Sequence, residues 1–283
     1  MIGMNILGQK GRLGNQMFQY AALVGISKNR GFDFCIPNHS KFNLHNEFED
    51  KNGRSLHHQL HKVFKLSHLN GRYGYIDGNV VEAPQHHFCE ELFDDCPDNV
   101  TLNGHFESYK YFENAEEELK LDFEFLDDLF CESKKFHEKN NLKNSVAIAV
   151  RRGDFLIFSD SHPACTEEYY SSCINQIGKD RQFVIVSDDI EWCKSQEIFS
   201  GNNFYFVDST PPEILKSSYD ICVSSQCDDF IISNSTFTWW ISWLGKNKNK
   251  KIYTPDPWFG SKYKHIITDG YYTENTIKVK RRI

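Results

Sequence analysis

Three short polar stretches, each behind an apolar run, hold the side chains best suited to chemistry. The first is Gly11-Arg12-Leu13-Gly14-Asn15-Gln16, two glycines around an arginine with an amide close behind. Glycine turns without a Cβ penalty and lets a ligand come close to the backbone. The exposed N–H groups of a following helix favour an anion, so the stretch suits a phosphorylated or sugar-like ligand. The second is Arg151-Arg152-Gly153-Asp154, delivered by the apolar run Val146–Val150. Adjacent side chains on an extended chain face opposite ways. One arginine can therefore meet a ligand while the other pairs inward, with Asp154 as a partner. The planar guanidinium fork suits a diphosphate; an Arg–Asp pair that pins a strand-end turn is the plainer alternative. The third is Ser233-Asn234-Ser235-Thr236-Phe237. Either Ser235 or Thr236 could cap the helix that follows, leaving the other hydroxyl and the free N–H groups for a phosphate. A further strand ends in Ser187-Asp188-Asp189. A carboxylate there could take the N1–H and amino donors of guanine or a ribose hydroxyl, or cap the next helix.

These stretches need strands to deliver them and helices to receive them, and the sequence alternates the two. Strands are expected at Met4–Leu7, Phe32–Ile36, Val100–Phe106, Val146–Val150, Phe183–Val186, Phe204–Val207 and Phe230–Ile232. Helices are expected from the glycine-rich stretch to about Arg30, around Ser55–Leu66, once or twice between Tyr109 and Asn140, near Glu167–Ile177, from Pro211-Pro212 onward, and after Thr236 with Gly245 as the stop. Alternation of this kind predicts an α/β fold with parallel strands. Two Rossmann-like halves facing a cleft, residues 1–140 and 141–283, divide in the polar stretch Glu138–Ser145. Residues 37–99 are irregular and rich in His, Asn and charge.

A chain of 283 residues with 40% hydrophobic and 14% aromatic residues can build a core, so disorder is not expected. The net charge of −7 argues against a nucleic-acid partner held by phosphate attraction. Two basic runs stand out, Lys246–Lys251 and the tail Lys278-Val279-Lys280-Arg281-Arg282. Both read as solvated surface, with docking on an anionic membrane, through the tail above all, or on a charged acceptor as the sharper alternative. Nine cysteines without C-x-x-C spacing fit free thiols in a reducing compartment. No apolar stretch reaches the ~20 residues needed to cross a bilayer, and Met1–Gly8 does not build a signal sequence. The expected setting is the cytoplasm. His57, His58, His61, His86, His87 and Cys89 lack the company of a metal site and read as ordinary histidines and a thiol. No D-x-D clamp, nucleophile elbow or P-loop occurs. Gly8, Gly11, Gly14 and Asp33 mimic a dinucleotide-binding unit, but with the wrong glycine spacing.

Taken in order, GRLGNQMFQYA, VRRGDF and SNSTFTWW resemble glycosyltransferase family 11, α-1,2-fucosyltransferases that use GDP-fucose. Gly104-His105-Phe106 with Tyr111-Phe112 is similar to that family's G-Y-F…Y-F stretch, and Tyr219-Asp220 and Pro257-Trp258 also fall in place. The resemblance spans nearly the whole chain outside 37–99. It implies a GT-B-like fold, with GDP-fucose in the C-terminal half and an oligosaccharide or lipid-linked glycan acceptor, terminal in galactose, in the N-terminal half. It also implies inversion at the fucose carbon with no metal or other cofactor. Arg151 would contact the diphosphate, supported by Arg152 and Asp154, and Ser235 and Thr236 would bind phosphate oxygens beside Ser233, Asn234 and Phe237. Asp188 would sit on the donor. Arg12 and Gly14 would shape the glycine-rich loop near the reacting sugar, where Asn15 would orient the donor or the acceptor hydroxyl. For the hydroxyl proton Asp154 is a candidate, though beside two arginines it suits orienting one of them better; Glu82, Glu107 or no residue at all are the alternatives. One position departs: the family's H-x-R-R-G-D pattern has Ala149 here in place of the histidine.

Overall fold

The computed structural model describes residues 1–38, 59–84 and 86–282, which form two α/β units, each on its own parallel sheet. The first unit holds Met1–Leu126 and Ile267–Tyr271; the second holds Asp127–Ile266 and Tyr272–Ile283.

In the first unit, β1 (Ile2–Gly3), β2 (Phe34–Cys35), β3 (Asn79–Glu82) and β4 (Val100–Asn103) lie in the order β2-β1-β4-β3. Helix α1 (Leu13–Arg30) is buried from Leu13 to Ser27 except at Asn15, and so packs on several sides at once. It stops at Gly31, whose left-handed φ of 65° lets its N–H reach the carbonyls of Ser27 and Lys28. Short helices α2 (Glu90–Asp95) and α3 (Glu116–Asp122) complete the unit. The strand expected at Met4–Leu7 is instead a pair of turns closed by Leu7 N–H to Met4 O and Gln9 N–H to Ile6 O. The apolar side chains Met4 and Leu7 are buried there without sheet pairing. Of the helix expected at Ser55–Leu66, the part before Gln59, with His57 and His58, lies outside the described residues; the rest holds only a 3₁₀ turn at Leu60–Lys62.

The second unit contains β5 (Ser145–Val150), β6 (Gln182–Ser187), β7 (Phe204–Phe206), β8 (Asp229–Ile232), β9 (Ile252–Asp256) and β10 (Thr276–Lys280), in the order β10-β9-β8-β5-β6-β7. Its helices are α4 (Asp127–Lys139), α5 (Glu167–Ile177), α6 (Ile190–Ser195), α7 (Lys216–Ser225) and α8 (Thr236–Leu244). One sheet face carries Val146, Ile148 and Val150 into a core with Tyr169, Tyr170, Phe183 and Ile185. Central strand β5 is buried along its whole length, as a parallel strand covered on both faces must be. The division falls after Leu126 rather than near 140, because α4 docks on α7. The His137 ring bonds Val223 O at 2.8 Å and Gln226 Nε2 donates to Ser133 Oγ at 2.6 Å. Helix α7 begins at Lys216, not at Pro211-Pro212, which form a turn closed by Ile214 N–H to Pro211 O.

The basic tail is part of the sheet. Lys278-Val279-Lys280 lies within β10, Val279 faces the core, and Arg281 is buried at 8% exposure. Lys278, Lys280 and Arg282 are exposed, as the solvated-surface reading expects, and Arg281 departs from it. All nine cysteines are free thiols, seven of them buried. Among the described residues, no helix is long and apolar enough to cross a membrane, and no group of three His, Cys, Asp or Glu side chains could hold a metal ion.

Candidate active site

In the second unit the polar loops leave neighbouring parallel strands at their carboxyl ends, where open α/β sheets bind ligands. Arg151 follows β5 and is clamped by two carboxylates, Asp154 and, at 2.8 Å, Asp188. Arg152 pairs with Asp189 at 3.0 Å and lies 3.8 Å above the Trp192 ring. The adjacent arginines thus take different partners, and both carry acidic ones. Gly153 follows them, and a Cβ there would stand 2.3 Å from Asp188 Oδ2 and push that carboxylate off Arg151. Of the two acids after β6, Asp189 accepts the Trp192 N–H at the start of α6. Asp188 instead accepts the Arg152 backbone N–H at 2.9 Å while holding Arg151. Asp188 therefore serves the arginine cluster through both of its oxygens.

The third stretch leaves β8 next door, with Ser233 N–H donating to Ala149 O at 3.1 Å. Ala149 is itself fully buried. Ser233 and Asn234 are almost wholly buried and Ser235 nearly so, while Thr236 and Phe237 are half-buried. Ser235 occupies the N-cap of α8, but its side chain makes no cap bond. Thr238 Oγ1 closes the turn by donating towards Ser233 O at 2.7 Å and Ser235 O at 3.0 Å. Behind the turn lies a group that the sequence reading missed. Arg281 donates to Asn234 Oδ1 (3.0 Å), Pro163 O (2.6 Å), Pro257 O (2.9 Å) and Trp258 O (2.8 Å). Every one of these acceptors is neutral. Asn234 Nδ2, facing away from the guanidinium, is buried with no hydrogen-bond partner. Asp220 on α7 is ion-paired to Lys216 at 2.7 Å, yet burial lifts its carboxyl to about 6, against the opposing pull of Lys216 and with help from Asp188.

The first unit builds a second cluster around the glycine-rich loop. Gly11 has a φ of 84°, and a Cβ on it would fall 2.5 Å from Asn15 Cβ, so glycine here makes room for the asparagine. The loop is tied from behind by two fully buried glutamines one helical turn apart. Gln16 Nε2 donates to Gly11 O (3.3 Å), and Gln19 Nε2 donates to Lys10 O and Gly104 O (both 3.1 Å). Arg12 is exposed at the N-cap of α1 and Gly14 is buried in its first turn. Asn15 Nδ2 donates to Glu107 Oε1 at 3.2 Å and stands 3.2 Å from His105 Nδ1. Glu107 is also bonded on Oε2 by His86 Nδ1 (2.7 Å) and Tyr271 Oη (2.8 Å). Burial alone would raise the Glu107 carboxyl, but the His86 hydrogen bond and charge, His105 and Tyr271 reverse that and hold it at about 2. Glu107 is therefore a fixed anion, too buried and too weak a base to take a proton from a hydroxyl. Glu82, the other candidate on this unit, accepts Asn103 Nδ2 at 2.5 Å on an exposed stretch of β3. Residues 15, 86, 105, 107 and 271 meet only through the fold, so no local spacing could have announced the cluster.

Two Rossmann-like units on parallel sheets give the chain an α/β, GT-B-like fold. The fold is shared with POFUT1 in complex with GDP, at a TM-score of 0.56 and 12% identity over 89% of this chain and 97% of that one. A structure of POFUT1 in complex with GDP-fucose aligns with a TM-score of 0.52 at 11% identity, over 89% and 97% of the two chains. The chain belongs to glycosyl transferase family 11, which it matches over residues 1–274. It is 29% identical to the α-1,2-colitosyltransferase of Escherichia coli, over 88% of this chain and 90% of the relative. It is 24% identical to the galactoside α-(1,2)-fucosyltransferase 1 of Alouatta caraya, over 83% of this chain and 63% of the relative.

Proposed function

We propose that this glycosyltransferase moves L-fucose from GDP-fucose to the 2-hydroxyl of a terminal galactose on an oligosaccharide or lipid-linked glycan, with inversion, without a metal, and in the cytoplasm. The observation that carries the reading is the pair of loops at the ends of β5 and β8: two oriented guanidinium groups beside a buried, arginine-backed turn at a helix start. Relatives named for α-1,2 transfer support the linkage. Breaking the sugar–phosphate bond leaves negative charge growing on GDP while the sugar becomes oxocarbenium-like. Arg151 and Arg152 face Asp154, Asp188 and Asp189, so these five groups carry no net positive charge, and Arg281 bonds only neutral acceptors. Stabilisation of the leaving diphosphate then rests on directed N–H groups held in place beforehand, the arrangement that contributes most in a water-poor site. Asp154 and Asp188 set the plane of the Arg151 fork and leave its remaining N–H groups for phosphate oxygens. Asp154 is accordingly an orienting group rather than the base.

A second reading concerns the donor. The relative named an α-1,2-colitosyltransferase favours a GDP sugar lacking the 3-hydroxyl of fucose. Incubation with GDP-fucose or GDP-colitose and lactose, followed by mass spectrometry and linkage analysis, decides between them. A chelator control tests the metal-free mechanism. No product from either donor on a panel of galactosides refutes both.

A further inference from the structure

His105 stands where the glycine-rich loop, the end of β4 and a buried carboxylate meet, and it alone of the two histidines there is substantially exposed. Its side chain is 31% accessible, against 11% for His86. Phe106 lies between His105 and Glu107. Its φ of 55° is left-handed, an uncommon conformation for a bulky residue. Such a conformation costs on the order of 1–3 kcal/mol and is found where a site needs it. Residues 105 and 107 are two apart, the spacing that shares a face on an extended chain, and both reach Asn15.

The hydrogen-bond chain has a direction. Glu107 is ionised, so Oε1 can only accept, and the Asn15 group facing it at 3.2 Å must be the amino end of the amide. The same Nδ2 faces His105 Nδ1 at 3.2 Å, so this ring nitrogen accepts. The proton of the neutral ring then sits on Nε2. We propose that His105 contacts substrate as a neutral hydrogen-bond donor, its Nε2–H tautomer fixed by Glu107 through Asn15, and that the acceptor of this bond is an oxygen of a sugar bound at the glycine-rich loop. The inference rests on the glycosyltransferase reading above and deepens it: His105 holds a sugar oxygen in place and does not take its proton. Charge around the ring agrees. Burial, His86 (its ring stacked on His105 at 5.6 Å) and Lys10 push His105 below the ordinary histidine range, with only Glu107 opposing. His86 is pulled the other way: burial lowers it, but the bond and charge of Glu107 more than offset this and raise it.

The test reads the ring directly. Two-bond ¹H–¹⁵N correlation spectra of the ¹⁵N-histidine-labelled full chain at pH 7.5 should show His105 neutral with the proton on Nε2. In Glu107→Gln the restriction should relax and the Nδ1–H form should appear. A protonated ring or a dominant Nδ1–H form in the parent protein overturns the proposal. Titration with GDP-fucose and with lactose should shift the His105 Nε2 resonance for at least one of them; no shift with either also overturns it. In the transfer assay His105→Phe should raise the KM of that substrate roughly tenfold, with a smaller change in kcat, while His105→Gln, which keeps an N–H, should stay within about threefold. Unchanged kinetics in His105→Phe would refute the contact. Should the parent protein transfer neither fucose nor colitose, the proposed function fails, while the tautomer and the titration still decide the role of His105.

Discussion

Replacing Arg281 by Met removes a guanidinium whose bonds to Pro163, Asn234, Pro257 and Trp258 span 2.6–3.0 Å. Methionine fills much of the volume but donates nothing, so three carbonyls and one amide oxygen lose their donor in a region 8% exposed at the arginine itself. A buried polar group left unsatisfied costs about 1–3 kcal/mol. Four of them set a ceiling on the order of 10 kcal/mol, which is reduced because a buried charge without an acidic partner no longer has to be desolvated. The expected net loss is about 3–5 kcal/mol. At ~2–4 °C per kcal/mol for a body of this size, thermal unfolding should fall by ~6–20 °C. Arg281→Lys retains the charge but, with a single ammonium in place of a planar fork, should recover less than half of the loss. Calorimetry with and without GDP reads both effects, because GDP stabilisation should shrink as Asn234 loses its anchor. A variant melting within 2 °C of the parent, with GDP stabilisation unchanged, would refute the view that this arginine organises the turn.

Other outcomes follow from the same geometry. Arg151→Ala should lower kcat/KM by roughly 10²–10³, or ~3–4 kcal/mol of transition-state stabilisation, with the circular dichroism unchanged; near-parental turnover would remove Arg151 from the reaction. The Glu107 carboxyl, held at about 2 against an ordinary 4.5, gives stability that is complete above pH ~4.5 and lost as pH falls towards 2, on the order of 3 kcal/mol. His86 reports the same pair from the other side: its raised value gives stability present below 6.5 and lost as pH climbs through that value, and the two are counted once. Urea unfolding of the parent should therefore weaken from pH 5 to 3 while Glu107→Gln changes much less, and parallel curves would contradict the assignment.

What the sequence made legible is local. Helix α5 begins and ends at Glu167 and Ile177 as its pattern predicts, α1 runs to Arg30 with glycine behind it, and α8 stops before Gly245. The strand ends carrying Arg151, Asp188 and Ser233 were legible too, because apolar β-branched runs ending in polar turns are written in consecutive residues. The failures are those of distance. Lys278-Val279-Lys280 has the period-two pattern of a strand, but only one of the three side chains is apolar, so charge masks the pattern until β9 pairs with it. Burial of Arg281 depends on carbonyls supplied by residues 163, 257 and 258. The division at Leu126 follows from α4 finding α7 almost ninety residues later along the chain. Glu107 was noticed as an acid, but its saturation by His86, Asn15 and Tyr271 could not be.

Each unit sets an asparagine on its candidate loop against a buried charge, and the two charges are opposite. In the first unit an anion, Glu107, draws the amino end of Asn15 inward. In the second a cation, Arg281, draws the carbonyl end of Asn234 inward and leaves its Nδ2 buried and without a partner. An unmet buried donor is unfavourable by about 1–3 kcal/mol, and a phosphate oxygen brought to this turn would relieve it. The arrangement makes stability and ligand binding pull against each other at one atom. Asn234→Asp would place a carboxylate on Arg281, giving the buried guanidinium the acidic partner it lacks. It would also replace the waiting donor by an oxygen that repels phosphate. The expected result is an unchanged or higher melting temperature together with GDP binding weaker by at least tenfold. Had Asn234 only a packing role, the substitution would leave GDP affinity where it was, so unaltered GDP binding in a stably folded Asn234→Asp protein would show that the turn does not face the diphosphate.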